Sequence, residues 1–169
     1  MGQLNGSEIL AKALKREGVE ELFFLMGGPM LTAEAATIQE GIRCIDVRHE
    51  QAAAMMAQAY SRLRQKPGFC MAASGPATIN LSTGLANALI DCCPVVALGG
   101  ASPMLGNGKQ VFQEIDQMEI MSGCVKYAAR IYDARRIPEM LNVAIQKAMS
   151  GKPGPVYLDL PGDTLYQMV

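Results

Sequence analysis

Residues 67–100, PGFCMAASGPATINLSTGLANALIDCCPVVALGG, hold two apolar runs separated by one stretch of helical composition. FCMAAS and PVVALGG are short, uncharged and bounded by glycine or proline, which is the pattern of strands buried on both faces. The intervening GPATINLSTGLANALIDCC starts with turn residues, continues with helix formers and stops at Pro94. A strand, a helix and a second strand at this spacing form a βαβ unit, and a βαβ unit makes its two strands parallel.

The same alternation extends in both directions. Upstream, NGSEILAKALKREG places Ile9, Leu10, Ala13 and Leu14 on one helical face and closes at Gly18. ELFFLMGG is a strand, residues 31–40 suit a helix ended by Gly41, IRCIDV is a second strand, and residues 50–64 form a helix of strong formers. Downstream, residues 101–115 are irregular around Gly106, Asn107 and Gly108, and a short helix is expected over 116–122. VKYAARIY and GPVYLDLP are strands on either side of the helix IPEMLNVAIQKAMSG, whose Pro138 suits a first turn. Six apolar strands alternating with helices predict an α/β fold, a doubly wound six-stranded parallel sheet with helices on both faces. No linker, repeat or low-complexity tract divides residues 1–169, so a single domain is expected.

Composition narrows the function classes. Of 169 residues, 50% are hydrophobic and 18% charged, and the formal net charge is −1 with no basic block. A packed core is expected, and neither nucleic acid nor an anionic membrane is an expected partner. The low charged fraction fits a domain with some faces covered by other domains or subunits. Five cysteines, an odd number with no C-x-x-C, and a single histidine offer no zinc set and point to a reducing, cytoplasmic compartment. The twelve methionines are expected to act mainly as core filler.

In a parallel sheet, ligands gather where strands end in loops. Gly27, Gly28 and Pro29 follow the first strand, His49 and Glu50 the second, Ser74, Gly75 and Pro76 the third, and Gly99 and Gly100 the fourth. Each has an ordinary reading. A carboxylate in a first helical turn is favoured by the helix dipole by roughly 0.3–1 kcal/mol with no chemistry involved. Gly-Pro before a helix is common punctuation. Neither SGPATIN nor GGPM has the glycine spacing of a phosphate loop or a dinucleotide fingerprint.

Taken together, FFLMGGP, RHEQAAAMMAQAYSR, KPGFCMAASGPATINLSTGLANALIDCCPVVALGG, FQEIDQ and GKPGPVYLDLPGD are more specific. In this order, and over nearly the whole chain, they resemble the N-terminal, pyrimidine-binding domain of thiamine-diphosphate enzymes of the acetolactate synthase and 2-hydroxyacyl-CoA lyase type. The resemblance implies a domain of an enzyme that makes or breaks C–C bonds next to a carbonyl: a lyase, carboligase or decarboxylase. It implies that Glu50 hydrogen-bonds N1′ of the aminopyrimidine and so helps the cofactor's own 4′-amino group take the proton from C2. It implies that Gly28, Pro29, Pro76 and Asn80 line the pyrimidine site, that Gln113 reaches toward cofactor and reacting centre, and that Phe112 packs near substrate. His49 is given no catalytic role. The sequence departs from the family's usual Ser-Gly-Pro-Gly at Ala77, whose methyl would crowd a backbone of positive φ but not a helix's first turn.

The family's Gly-Asp-Gly motif, which with a downstream Asn fixes Mg²⁺ and the diphosphate, does not occur in these residues. The resemblance therefore implies that Mg²⁺ and the diphosphate are held by another domain or subunit of the same enzyme. The chain is then a fragment of a longer enzyme or one subunit of a split one, inactive alone and part of a homo-oligomer. The expected substrate is a small 2-oxo acid, 2-hydroxyacyl-CoA or aldehyde. The alternative is a non-catalytic binding or regulatory subunit of the same fold, which would have no need for a buried carboxylate at position 50.

Overall fold

The computed structural model describes residues 2–169. Helix α1 (Gly6–Arg16) opens on a capping box. The Asn5 side chain accepts from the Glu8 amide, and Glu8 accepts from the Asn5 amide at 2.8 Å. Gly18 at φ +76° ends the turn after it and leads into strand β1 (Glu21–Leu25). Then follow α2 (Leu31–Gln39), β2 (Arg43–Asp46), α3 (Glu50–Arg64) and β3 (Gly68–Ala72). The second half runs α4 (Pro76–Asn80), α5 (Ser82–Ile90), β4 (Val95–Ala101), α6 (Gln117–Ser122), β5 (Tyr127–Arg130), α7 (Ile137–Met149), β6 (Val156–Pro161) and α8 (Gly162–Tyr166).

All pairings in the sheet are parallel, in the order β2-β1-β3-β4-β6-β5. The chain turns back past β1 to place β3, so the winding direction reverses between β1 and β3. That is the switch point of a doubly wound sheet, with a crevice outside the carboxyl ends of the two strands.

The strands alternate with period two between two unlike cores. Leu22, Phe24, Phe69, Met71, Val96, Leu98, Val156 and Leu158 face the layer of α1 and α7. Phe23, Cys70, Ala72, Val95, Ala97 and Tyr157 face the layer of α3 and α5. The first core is built from large side chains, the second mainly from small ones, so α3 lies close to the sheet. A Cβ on Gly68 would overlap the Ala57 carbonyl of α3, and one on Gly84 of α5 would sit 2.6 Å from Ala54 Cβ. The alanines of α3 are thus a spacing device: Ala53, Ala54 and Ala57 are buried and let helix and strand approach. Burial holds the Cys70 thiol up at about 12 and that of Cys44 at about 11, so both behave as small apolar groups.

Two sequence expectations need correction. Met55 and Met56 are exposed, so α3 packs through its alanines and not through its methionines. The stretch after the third strand is two helices, because Leu81 N bonds back to Thr78 O in a tightened turn before α5 resumes with Leu85 N to Leu81 O. Pro161 ends β6, and Gly162 begins the five-residue helix α8. Among the described residues no helix is long and apolar enough to cross a membrane.

Candidate active site

Glu50 is the first residue of α3, capped by His49, whose Nδ1 accepts from the Gln51 amide at 3.2 Å. Glu50 as a residue is only 8% exposed. Its Oε2 accepts from Asn80 Nδ2 at 2.9 Å, and among the described residues Oε1 has no donor. His49 therefore caps the helix and Asn80, at the end of α4, orients the acid. Pro76, at the start of α4, is exposed at the carboxyl edge of the sheet.

A second group forms around the β1 and β3 turns. Ser74 Oγ donates to Gln113 Oε1 at 2.8 Å. A Cβ on Gly28 would lie in ordinary contact, 3.4 Å from Ser74 Oγ and 3.7 Å from Gln113 Oε1, so what calls for glycine here is its φ of +49°. Gln113 itself has φ +59°. Its loop is tied by Glu114, which accepts from the Gly108 amide and, at 3.0 Å, from the Val111 amide. These backbone donors, Gly108 first, hold the Glu114 carboxyl below its ordinary range.

Gly28, Pro29, Ser74, Phe112 and Gln113 line a cavity of about 290 Å³ together with residues of the loop after β4 and of α8, Pro103 and Tyr166 among them. No charged side chain lines it. Phe112 is 84% exposed at its rim. Of the residues singled out from sequence, Gly28, Pro29, Phe112 and Gln113 thus share this cavity, while Glu50 and Asn80 form a separate hydrogen-bonded pair outside its lining. The Ser74-Gly75-Pro76 turn joins the two groups. Ala77 falls in the first turn of α4, and the positive φ belongs to Gly75, so the methyl is accommodated.

Sequence reading missed Gln117, Asp159 and Arg130. Gln117 Oε1 accepts from the Gly75 amide at 2.8 Å, and Asp159, fully buried in β6, pairs with Arg130 Nε at 2.5 Å. The available signal was a lone aspartate in the apolar run PVYLDLP, since a carboxylate at such a position requires a partner.

Among the described residues no group of three or more His, Cys, Asp or Glu is placed to hold a metal ion. The donor set does fit the aminopyrimidine half of thiamine diphosphate. A carboxylate on a buried residue with one uncommitted oxygen suits a ring nitrogen, and the cavity lined by Gly28, Pro29 and Gln113 carries no competing charge.

Comparison with known proteins agrees with this chemistry. Residues 4–120 match the family model described as thiamine pyrophosphate enzyme, N-terminal TPP binding domain. The chain is 40% identical over 164 residues to acetolactate synthase, chloroplastic, of Arabidopsis thaliana, covering 96% of this chain and 24% of that protein. It is 38% identical over 162 residues to the acetolactate synthase isozyme 2 large subunit of Escherichia coli K12, covering 95% of this chain and 29% of that protein. It is 40% identical over 162 residues to 2-hydroxyacyl-CoA lyase 2 of Caenorhabditis elegans, covering 96% of this chain and 25% of that protein. The chain spans about a quarter of the length of these relatives. With the family model matched over most of its length, the chain belongs to the thiamine pyrophosphate enzymes, as their N-terminal TPP-binding domain.

Proposed function

We propose that this chain is the pyrimidine-binding half of a thiamine-diphosphate-dependent enzyme that makes or breaks C–C bonds next to a carbonyl, with Glu50 as the activating acid. The observation that carries the reading is the state of that carboxyl. Glu50 is a buried residue, its carboxyl is fixed through Oε2 by Asn80, and Oε1, without a donor among the described residues, is left open to a ligand. Bound thiamine diphosphate supplies a nucleophilic C2 once its aminopyrimidine is in the imino form.

The chain's residues set that up. Glu50 shares a proton with N1′, and in a site of low dielectric this hydrogen bond biases the ring far more than it would in water. Asn80 Nδ2 keeps the carboxyl from rotating away. Pro76, Gly28 and Pro29 give the pyrimidine an edge without competing amide donors at the prolines. Gln113, held by Ser74, presents its amide toward the reacting centre, and Phe112 covers the cavity mouth. The uncharged lining suits a neutral acyl or aldehyde substituent of a 2-oxo acid, a 2-hydroxyacyl-CoA or an aldehyde.

Residues 1–169 act in this reading as one domain, with Mg²⁺ and the diphosphate held by a diphosphate-binding domain or subunit of the same enzyme. Five free cysteines support a cytoplasmic setting. Calorimetry on the isolated chain with thiamine diphosphate and Mg²⁺ is expected to show no saturable heat at micromolar concentration; micromolar affinity would sink the two-half arrangement. Met55, Met56, Leu63 and Ile90 are exposed on the α3–α5 layer and support a covered face in a homo-oligomer. Gel filtration is expected to show self-association that grows with concentration, and a monomer at every concentration would remove that part of the proposal. A non-catalytic module of the same fold is the alternative. It is disfavoured because such a module gains nothing from desolvating Glu50.

A further inference from the structure

A largely buried polar cluster contacts the turn that joins the two groups of the site, and none of its side chains belongs to either group. Asp159 is 0% exposed and Gln117 1% exposed. Asp159 Oδ2 accepts from Arg130 Nε at 2.5 Å. Its Oδ1 accepts from the Tyr157 hydroxyl and, at 2.5 Å, from Gln117 Nε2. Gln117 Nε2 also lies 2.7 Å from Gly100 O and 2.8 Å from Tyr157 Oη. On its other side, Gln117 Oε1 accepts from the Gly75 amide at 2.8 Å.

This network allows one orientation of the Gln117 amide. An ionised carboxylate offers only acceptors, so the nitrogen of the amide must face Asp159. The oxygen then faces Gly75, whose N–H is a donor. A flipped amide would set oxygen against carboxylate and NH₂ against N–H, leaving two buried mismatches. Burial, with the Asp159 carboxylate beside it, pushes the Tyr157 phenol well up, so it stays a donor to Asp159. Asp159 therefore fixes the amide, and the amide fixes Gly75.

Gly75 is where that constraint reaches the site. It sits at φ +58° and ψ −118° directly before Pro76 and α4, whose last residue, Asn80, holds Glu50. Its Cα also packs against the Gln113 peptide, where an added Cβ would overlap the Gln113 carbonyl.

We propose that Gln117 is a positioning residue: by pinning the Gly75 amide to the ends of β4 and β6, it holds Asn80 against Glu50 and Gln113 against Gly28. The inference rests on Glu50 being the activating acid and adds the element that keeps it aimed.

The test uses the complete enzyme with saturating thiamine diphosphate and Mg²⁺, below the melting temperature of every variant. The quantity read is hydrogen–deuterium exchange at C2 of the bound cofactor. Gln117→Met keeps the volume and loses the hydrogen bonds, and exchange is expected to slow about tenfold or more. Tyr157→Phe removes the hydroxyl's bonds to Asp159 and to Gln117 Nε2 but leaves Gln117 held by Asp159 and Gly100 and bonded to Gly75, and exchange within threefold of the unsubstituted enzyme is expected even where melting falls as much. Exchange within threefold in Gln117→Met overturns the proposal. So does equal slowing in Tyr157→Phe and Gln117→Met at equal loss of melting temperature, because the role would then be general stability. Should Gln117→Met not fold, Gln117→Glu reads the same quantity. Its second oxygen would face the Asp159 carboxylate, so slowed exchange is expected and unchanged exchange overturns the proposal. Glu50→Gln separates the two readings. Slow exchange there with normal exchange in Gln117→Met sinks the positioning role alone, and normal exchange in both sinks the Glu50 assignment as well.

Discussion

Glu50→Gln in the complete enzyme is expected to slow proton loss from C2 of bound thiamine diphosphate by roughly 10²–10⁴-fold, the range typical of removing a positioned acid or base. The amide matches the carboxyl in size and still accepts from Asn80 Nδ2, so the site keeps its shape. What it loses is the ability to share a proton with a ring nitrogen. Stability should change little, because the lost attraction between a first-turn carboxylate and the α3 dipole is worth about 0.3–1 kcal/mol. Exchange at C2 followed by NMR, beside a thermal melt, separates these effects. Exchange at the unsubstituted rate would end the assignment of Glu50 as the activating acid.

Gly75→Ala is the substitution expected to cost most. The residue has φ +58° and ψ −118°, the pair that a type II′ turn demands of its first central residue and that L side chains avoid. Forcing alanine into this sparsely populated region costs about 1–3 kcal/mol in backbone strain. The new Cβ would also overlap the Gln113 carbonyl and sit 3.1 Å from Gln113 Cβ, which adds about 1–3 kcal/mol of overpacking. Relief has to come from moving Gln113 or α4, and either motion disturbs the site, so turnover should fall with stability. Gly108→Ala is the control. It has φ +77° but no neighbour within 4 Å of the added methyl, so only the strain is expected. Urea denaturation of both variants checks the difference, and a loss below about 1 kcal/mol for Gly75→Ala would show that the turn yields freely.

Much of this architecture was legible in the chain. The inner strands β1, β3, β4 and β6 are short, mainly apolar runs, and burial on both faces leaves that mark without reference to the rest of the fold, whereas the edge strands β2 and β5 are only partly buried. The boundaries of α3, from Glu50 to Arg64, follow from its cap and its helix formers. The glycines and prolines after β1 and β3 marked the carboxyl edge where the site lies. Less legible was which face each residue of α3 would turn to the sheet. Met55 and Met56 were expected inside, but the small-residue surface of β3 and α5 leaves no depth for them, and alanine fills the contact.

The candidate site divides in the same way. Glu50, Pro76, Asn80 and Gln113 stand out in sequence because their neighbours form motifs within a few residues. Gln117 and Asp159 do not, since neither has meaning without the other and 42 residues separate them. A further 42 separate Gln117 from Gly75. Sequence alone determined the strands, most of the helices, their parallel winding and the edge that carries the candidate site, because propensity, capping and hydrophobic period are local properties. Only the tertiary structure decided the order of the strands, the exposure of the methionines and the buried chain from Arg130 through Asp159 and Gln117 to Gly75. Those depend on which distant groups share a dry interior, where an unpaired charge or amide is too costly to keep.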